Sequence, residues 1–308
     1  MKIGITGAAG YIGSRVMYDA IKLGHEVVGI DNFYSGQINE IKENKIINVN
    51  IENLKEIKPL LQNCDVIIHL AAITGIVECK EKPDLAFKTN ILGTENITWI
   101  CYKHHIPLIF VSSMAVYGNP KKFPIKENDP KKPTNFYGLT KLIGMKNVQF
   151  FSENNFPVHI FILSNVYGNH TIDTKTITKR TVVNKFVNQA KENKALTVYK
   201  PGTQSRDFIH VNDVSRIILA SVEIKEKDEK KTKFYNLASG KSYSVLEIAR
   251  IIRKIAIKRG YKTRIKIVDN PRKNDILSKT FDVSIAKIKK DLDLKPDIDI
   301  KNAISGMI

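Results

Sequence analysis

The feature that most restricts the fold is a glycine-rich turn between the first apolar run of the chain and its first helical pattern. Gly7, Gly10 and Gly13 are spaced three residues apart, after the run Lys2–Thr6 and at the start of the helical pattern Ile12–Leu23. Glycine permits a tight turn and lets backbone N–H groups approach an anion at the positive end of a helix. The pattern therefore predicts a strand–turn–helix unit that binds the diphosphate of a dinucleotide.

Short β-branched runs alternate with helical patterns in the first half of the chain. This alternation predicts an α/β fold with a Rossmann-type, doubly wound parallel sheet. The strand patterns are apolar throughout, as expected where helices cover both faces of a sheet. The predicted strands are Lys2–Thr6, Glu26–Ile30, Ile46–Val49, Val66–Leu70, Leu108–Ser112 and His159–Leu163, and the predicted helices are Ile12–Leu23, Leu54–Leu61, Leu85–His104 and Tyr137–Glu153.

The pattern becomes looser after Gly168. The stretch Asn169–Lys179 is polar and rich in threonine, and it predicts a mobile loop that helps to select the substrate. Further helices are predicted at Val182–Asn193 and Ser244–Arg259. We therefore predict a nucleotide-binding domain over residues 1–168, to which 207–238 returns, and a smaller α/β substrate domain over 169–206 and 239–308.

Composition narrows the class of protein. Hydrophobic residues make up 43% of the 308 residues, enough for a full core, and no apolar run approaches the ~20 residues of a membrane span. The net charge of +18 is spread over the whole chain without a nucleic-acid-binding module, so lysine-rich usage explains it better than nucleic-acid binding. Three widely spaced cysteines predict neither a disulfide framework nor a metal site. We expect a soluble, cytoplasmic protein.

Asp31 indicates which dinucleotide the glycine-rich turn binds. It ends the second predicted strand, about 20 residues after the glycines, where a carboxylate hydrogen-bonds the adenosine ribose. The same carboxylate repels a 2′-phosphate, and the following residues, Asn32, Phe33 and Tyr34, include no arginine to attract one. NAD is therefore favoured over NADP.

Tyr137, Lys141 and Ser113 form the candidate catalytic group. Tyr137 and Lys141 are four residues apart, which places both side chains on one face of a helix. An ammonium near a phenol lowers the pKa of the phenol, so we expect Lys141 to make Tyr137 usable as a base. Ser113 follows the fifth predicted strand, at the carboxyl edge of the sheet where open α/β folds bind ligands.

With these residues in place, the chain resembles the extended short-chain dehydrogenases/reductases, in particular the nucleotide-sugar epimerases and dehydratases. The resemblance covers almost the whole chain. The motifs that carry it are Thr6–Ser14, Asp31–Asn32, Val66–Ala72, Asn90–Thr94, Val111–Gly118, Tyr137–Lys141, Ser164–Gly168, Arg206–Val211 and Tyr235–Leu237.

The resemblance implies roles for individual residues. Tyr137 is implied to be the acid/base, Lys141 to hold the nicotinamide ribose, and Ser113 to hydrogen-bond the reacting sugar oxygen. Asn165, Arg206 and Arg272 are implied to contact the substrate and its nucleotide diphosphate, although surface charge would also explain the two arginines. His210 is interpreted as structural. The residues implied to bind NAD are Gly7, Gly10, Tyr11, Ile12, Gly13, Asp31, Asn32, Leu70, Ala71, Ala72, Asn90, Tyr137 and Lys141.

Two residues after Ser113 bear on the reaction. Dehydratases and decarboxylases of the family carry acidic residues there, whereas this chain has Met114 and Ala115. The resemblance therefore implies 4-epimerisation of a UDP-sugar of the UDP-glucose/UDP-galactose type through a transient 4-keto sugar. UDP-glucuronate or UDP-GlcNAc epimerisation, a dehydrogenase or reductase that releases NADH, and a non-catalytic NAD-binding protein are the alternatives.

Two further expectations follow from the resemblance. Lys279 occupies a position that helps to control sugar size in the epimerases, and we hypothesise that it favours an anionic sugar; the alternative is a lysine that points into solvent. The helices predicted at Leu85–His104 and Tyr137–Glu153 resemble the pair that forms the dimer interface of the family. A homodimer is therefore expected.

Overall fold

The predicted strands and helices of the first half are present, with ends that differ by only a few residues. The computed structural model of the protein describes residues 1–153, 155–223, 232–271 and 280–308. The strands are β1 Lys2–Thr6, β2 Glu26–Asp31, β3 Glu40–Ile41, β4 Asn44–Lys45, β5 Ile47–Asn48, β6 Val66–His69, β7 Leu108–Ser113, β8 Val158–Leu163, β9 Asn165–Tyr167, β10 His170–Ile172, β11 Lys175–Ile177, β12 Leu196–Tyr199, β13 Ser205–His210, β14 Thr232–Leu237, β15 Ser242–Ser244 and β16 Ile265–Val268. The helices are α1 Tyr11–Lys22, α2 Leu54–Leu61, α3 Ile76–Glu81, α4 Pro83–Phe87, α5 Thr94–His104, α6 Phe136–Ser152, α7 Val182–Lys191, α8 Val211–Val222, α9 Val245–Lys258, α10 Ala286–Leu292 and α11 Ile300–Met307.

The central sheet has seven strands in the order β14-β8-β7-β6-β1-β2-β5. All of its strand pairs are parallel. The chain leaves β1 toward β2 on one side and later returns to β6 on the other side. The order therefore reverses between β1 and β6, and ligands of open α/β sheets bind outside the carboxyl ends of the strands at such a point.

Successive residues of the central strands enter different cores, because their side chains point to opposite faces of the sheet. In β7, Ile109 and Val111 pack in the core that contains α1 and α8, whereas Leu108 and Phe110 pack in the core that contains α2, α5 and α6. This arrangement confirms the prediction of an α/β fold with a doubly wound parallel sheet. Within the described part of the chain, no helix combines the length and apolar character needed to cross a membrane.

A smaller unit carries its own apolar core. It contains a three-stranded sheet of β15, β13 and β9 and a pair of strands, β12 and β16. The helices α7, α9 and α11 bury their apolar faces around these strands. The helix α8 packs on α1, and β14 forms an edge of the central sheet. Both elements lie within 207–238, the segment predicted to return to the nucleotide-binding domain. The two-domain boundaries themselves stay a prediction.

The prediction of a mobile loop over Asn169–Lys179 is wrong, because the strands β10 and β11 pair as an antiparallel hairpin there. Ile172 and Ile177 are fully buried in the core beside α1. The threonines of this stretch, which we interpreted as loop residues, favour strands because β-branched side chains fit a pleated surface. The polar composition of the stretch therefore gave no indication that these two isoleucines are buried.

The predicted helix Leu85–His104 is also interrupted. The chain runs through α4, then a π-helical turn over Lys88–Gly93, and then α5. The side chain of Asn90 lies within this turn and bonds to the backbone of Ile73. Such π-helical turns are frequent near functional sites.

Candidate active site

A cleft of about 640 Å³ opens at the carboxyl ends of the central strands. It lies where the strand order reverses, between β1 and β6, and it continues along β7 and toward α7. The structure brings most of the predicted site residues to this cleft. The predicted residues that line it are Gly7, Gly10, Tyr11, Ile12, Gly13, Asp31, Asn32, Leu70, Ala71, Ala72, Ser113, Tyr137, Lys141 and Asn165.

The glycine loop, residues 7–13, is folded too tightly to accept side chains at two positions. Gly7 has a φ of +71°, in the left-handed region that favours glycine. A Cβ on Gly13 would lie 2.0 Å from the carbonyl oxygen of Gly7. The backbone of α1 therefore begins directly against the cleft, and its first N–H groups are available to a diphosphate.

The residues after β6 lie directly on the glycine loop. A Cβ on Gly7 would lie 2.7 Å from the backbone nitrogen of Ala71. The hydroxyl of Thr6 accepts hydrogen bonds from the backbone N–H groups of Leu70 (3.2 Å) and Ala71 (3.1 Å). This close approach joins the ends of β1 and β6 into one continuous floor for a dinucleotide.

The carboxylate of Asp31 lies at the side of the glycine loop. It accepts hydrogen bonds from the backbone N–H groups of Ala9 (3.0 Å) and Phe33 (2.7 Å). Burial raises the pKa of Asp31, and these backbone donors oppose that rise. The adjacent Asn32 donates to the side-chain oxygen of Asn50 at 2.7 Å. The carboxylate is thus fixed at the cleft, in the place where the sequence predicts a contact with a ribose.

Ser113, at the end of β7, and Tyr137, in the first turn of α6, both line the cleft. The turn after β7 packs against the start of α6, where a Cβ on Gly138 would lie 2.5 Å from the carbonyl oxygen of Ala115. The nearby hydroxyl of Ser113 lowers the pKa of the Tyr137 phenol, but burial has the larger effect and raises this pKa to about 12. A substrate hydroxyl in the cleft could therefore contact both side chains and exchange its proton with the phenol of Tyr137.

Lys141 lies one turn of α6 beyond Tyr137 and is 4% exposed. Its ammonium lies 4.6 Å from the centroid of the Phe110 ring. Burial lowers the pKa of Lys141 to about 7. Desolvation of the phenol is the largest influence on the pKa of Tyr137, and the expected lowering of that pKa by Lys141 stays a prediction.

His69, at the end of β6, is buried close to Lys141 and forms hydrogen bonds with Thr6 and Thr94. Burial, together with the nearby charge of Lys141, lowers the pKa of His69 to about 3, so the ring is neutral. The Thr94 hydroxyl donates to the carbonyl of Asn90 (2.8 Å) and therefore accepts from His69 Nε2 (2.9 Å). His69 Nδ1 then accepts from the Thr6 hydroxyl at 2.7 Å. The network fixes one tautomer of the ring.

Asn90, which the resemblance assigns to NAD binding, lies behind the wall of the cleft and is 1% exposed. Its side-chain oxygen accepts from the backbone nitrogen of Ile73 (2.8 Å), and its amide donates to the Ile73 carbonyl (3.0 Å) and the Thr140 hydroxyl (3.1 Å). These bonds tie the segment after β6 to α6. Asn90 thereby positions two parts of the cleft, and a direct role in cofactor binding stays a prediction.

The predicted substrate residues are only partly brought together. Asn165 lines the cleft, and its amide donates to the carbonyl of Asp207 at 3.1 Å. Arg206 lies on β13, where its guanidinium is 5.2 Å from the centroid of the Phe281 ring. His210 caps α8 by accepting from the backbone nitrogen of Asn212 (3.2 Å), in keeping with the structural role we assigned to it. The assignments of Arg272 and Lys279 lie outside the described residues.

Several residues that line the cleft are absent from the sequence assignments, among them Gly75 and Lys179. Thr74 and Gly75 follow the floor of the cleft, and Lys179 reaches it from the hairpin of β10 and β11. The amide of Asn184 holds the carbonyl of Lys179 at 3.0 Å. No local pattern marks Lys179, because its place in the cleft depends on contacts with residues more than 100 positions away in the chain.

The doubly wound sheet, the glycine loop and the cleft at the carboxyl ends of the strands are those of a dinucleotide-binding enzyme. The model of the NAD-dependent epimerase/dehydratase family matches residues 3–238, and the chain belongs to that family. The match confirms the resemblance, and the dependence of the family on NAD agrees with the cofactor expected from Asp31.

Individual relatives span nearly the whole chain. A Methanocaldococcus jannaschii protein assigned as a UDP-glucose 4-epimerase is 31% identical and covers 99% of this chain and 96% of its own. The UDP-N-acetyl-alpha-D-glucosaminuronate decarboxylase of Bacillus cytotoxicus is also 31% identical, over 82% of this chain and 79% of its own. The crystal structure of the Thermotoga maritima UDP-glucose 4-epimerase with UDP-glucose is similar at 25% identity, with a TM-score of 0.87 over 99% of this chain and 96% of that one.

Proposed function

We propose that this enzyme epimerises a UDP-sugar at C4, with UDP-glucose and UDP-galactose as the first pair of substrates to consider. The observation that carries the proposal is that Ser113, Tyr137 and the buried Lys141 line one cleft, with Lys141 one helical turn beyond Tyr137 on α6. The similarity to two UDP-glucose 4-epimerases over nearly the whole chain supports the choice of substrate.

In this proposal the chain itself handles the proton of the sugar. The phenol oxygen of Tyr137 accepts the proton of the C4 hydroxyl, and the Ser113 hydroxyl hydrogen-bonds the same oxygen of the sugar. After the 4-keto sugar has turned over in the cleft, Tyr137 returns the proton to the oxygen on C4. Lys141 holds the nicotinamide ribose and contributes positive charge when it is protonated.

NAD fits the cleft on three observations. The glycine loop presents backbone N–H groups where side chains would collide, and Asp31 lies beside this loop. Lys141 lines the same cleft and is desolvated. The only carboxylates among the described lining residues are Asp31 and Glu78. When bound, NAD would supply a reversible acceptor for the hydride of C4, and its positive charge would favour the phenolate of Tyr137. The cofactor is regenerated in every cycle.

The residues after Ser113 favour epimerisation over decarboxylation, although a decarboxylase is among the relatives. The Met114 side chain is 5% exposed and packs in the apolar core, and Ala115 carries no titratable group. Of the two carboxylates that line the described part of the cleft, Asp31 caps the glycine loop and Glu78 accepts from the Tyr34 phenol at 2.9 Å. Neither one is placed beside Ser113 to act as an additional base.

The test is to incubate the purified protein with UDP-glucose, UDP-GlcNAc and UDP-glucuronate separately and to resolve the products by chromatography. We expect a C4 epimer from at least one sugar, with no net NADH, and loss of that product in Tyr137→Phe. Steady accumulation of NADH with an oxidised sugar would replace the proposal with a dehydrogenase. A lack of any product with added NAD would reject all three substrates.

We also propose that the protein is a homodimer that acts in the cytoplasm, where its buried free cysteines stay reduced. Large apolar side chains lie exposed on the two helices expected at the interface: Trp99 on α5 (37% exposed) and Leu139, Ile143 and Phe150 on α6 (42%, 36% and 75%). Exposed apolar patches of this kind mark protein interfaces. Light scattering should give twice the monomer mass at micromolar concentration, and a monomer there would contradict the dimer.

A further inference from the structure

Lys179 reaches across the mouth of the cleft from the carboxyl-terminal side. Its ammonium donates to the hydroxyl of Thr74 at 2.9 Å, and both residues line the cleft. Thr74 belongs to the segment that follows β6, whereas Lys179 follows the hairpin of β10 and β11. This hydrogen bond therefore connects the two sides of the cleft above its floor.

The contacts on either side of Lys179 place it next to the glycine loop. The backbone nitrogen of Thr178 donates to the side-chain oxygen of Gln37 at 3.2 Å. The backbone nitrogen of Gln37 in turn donates to the carbonyl of Ala9, within the glycine loop, at 2.8 Å. On the other side, Thr74 lies three residues beyond Ala71, whose backbone rests on Gly7. Thr178, which precedes Lys179, and Thr74, which accepts its hydrogen bond, are thus both connected to the glycine loop, where the diphosphate is expected to bind.

The surroundings of Lys179 favour an anion. Lys179 is an exposed residue, but the atoms around its ammonium desolvate it enough to lower its pKa. The one carboxylate that acts on this pKa is Glu78, which raises it and which accepts a hydrogen bond from Tyr34. Among the described residues no carboxylate forms an ion pair with Lys179, so an anion in the cleft would be its stronger partner.

The position of Lys179 is held by a buried polar side chain. Asn184, 2% exposed, donates to the carbonyls of Lys179 (3.0 Å) and Gly168 (2.9 Å) and accepts from the backbone nitrogen of Gly168 (3.0 Å). The Thr181 hydroxyl caps α7 immediately after Lys179. These contacts hold the backbone of Lys179, so only its side chain loses conformational entropy when the ammonium binds a ligand.

We propose that Lys179 is a cofactor-binding residue, which exchanges the Thr74 hydroxyl for the diphosphate of NAD and closes the hairpin of β10 and β11 over the bound dinucleotide. This assignment rests on the proposed function, since it takes NAD as the resident cofactor. It makes the carboxyl-terminal side of the cleft responsible for part of the affinity for the cofactor, in addition to that for the sugar nucleotide.

The test compares Lys179→Gln with Lys175→Gln, a matched change of an exposed lysine on β11 in the same hairpin. Calorimetry measures the Kd of three probes, NAD, ADP-ribose and UDP, for both variants and the wild type. We expect Lys179→Gln to weaken NAD and ADP-ribose alike by about 10-fold or more, as befits the loss of one charge-assisted hydrogen bond, and to leave UDP unchanged. Thr74→Val should weaken NAD less, because the ammonium remains.

Steady-state kinetics provide a second readout. The NAD concentration for half-maximal rate should rise in Lys179→Gln in proportion to the Kd, whereas Lys175→Gln should show the wild-type value. Unchanged affinity for NAD, or weaker binding of UDP alone, overturns the assignment and leaves the proposed epimerase intact. A wild-type protein that bound no NAD would overturn both proposals.

Discussion

The side of the cleft that carries the glycine loop is shaped by backbone, whereas the side that carries the β10–β11 hairpin is held by buried polar side chains. On the first side, Gly7 and Gly13 bring β1, α1 and the end of β6 so close together that side chains are excluded. On the second side, Asn184 and Asp207 hold irregular segments by hydrogen bonds to their backbone. A substitution on the first side therefore disturbs close backbone packing, whereas one on the second side removes hydrogen bonds of a single side chain.

This difference explains how one cleft can combine a fixed cofactor site with an adaptable substrate site. A backbone surface without side chains binds a group that every member of a class shares, such as a diphosphate. Segments held at a few points by buried polar groups can change between those points without loss of the core. We expect substitutions on the glycine-loop side to affect folding and NAD together, and those on the hairpin side to separate the two.

The largest effect is expected for Gly13→Ala. A Cβ there would lie 2.0 Å from the Gly7 carbonyl oxygen, so α1 must move away from the loop. The free energy of unfolding should fall by about 4 kcal/mol or more, measured by urea titration, and NAD binding should be lost with it. Gly306→Ala is the control, since nothing lies within 4 Å of its added Cβ on α11, and it should stabilise the protein by up to about 1 kcal/mol. Equal stability of the two variants would contradict the role given to the backbone.

The next largest effect is expected for Asp207→Ala on the other side. The fully buried carboxylate accepts from the backbone nitrogens of Ser239 (2.8 Å), Gly240 (2.8 Å) and Lys241 (3.1 Å) and from the hydroxyl of Ser164 (2.7 Å). Its removal leaves these donors without an acceptor, at a cost of about 3 kcal/mol in the free energy of unfolding.

The matched control for this substitution is Asp269→Ala. Asp269 is an exposed residue paired with Lys200 at 2.8 Å, and its loss should leave the free energy of unfolding nearly unchanged because solvent screens the pair. A cost for Asp207→Ala as small as that of the control would show that the segments it joins are held by packing alone.

The difference between a side shaped by backbone and a side held by side-chain hydrogen bonds also explains which parts of the cleft could be predicted from the sequence. The glycine loop and Asp31 were recognisable because their geometry follows from neighbouring residues, and the apolar runs of β1, β6 and β7 fix the sheet by pattern alone. Lys179 was missed because its partner Thr74 lies 105 residues away in the chain. Asn184 was missed because it looks like an ordinary polar residue of a helix, and the polar composition of 169–179 concealed the β10–β11 hairpin. The raised pKa of Tyr137 also could not be foreseen, since spacing along a helix carries no information about desolvation.

A smaller and pH-dependent effect is expected for His69→Gln. The folded protein holds the pKa of His69 at about 3, well below the value of about 6.5 in an unfolded chain. The unfolded state therefore binds the additional proton, and stability that is present above pH 6.5 is lost as the pH falls toward 3. Between pH 7 and pH 5 this one histidine should cost about 2 kcal/mol in the free energy of unfolding.

His69→Gln should remove that part of the pH dependence, measured as the difference between urea titrations at pH 7 and pH 5. His170 of the hairpin, whose pKa burial lowers to about 4, remains in the variant and should maintain a residual decline. An identical pH dependence in the variant and the wild type would indicate that His69 is not held neutral by the fold.

The smallest effect is expected for Tyr11→Phe, which removes a direct bond between the two sides. The phenol of Tyr11, at the start of α1, donates to the carbonyl of Gly168 at 2.7 Å. That carbonyl also accepts from the Asn184 amide at 2.9 Å, so it keeps a partner in the variant and the loss should be only about 1 kcal/mol of the free energy of unfolding. Tyr199→Phe, at an exposed position on β12, should cost less than about 0.5 kcal/mol. A cost near 3 kcal/mol for Tyr11→Phe would mean that the two sides depend on this single bond for their alignment, and the separation of cofactor and substrate effects proposed above would then fail.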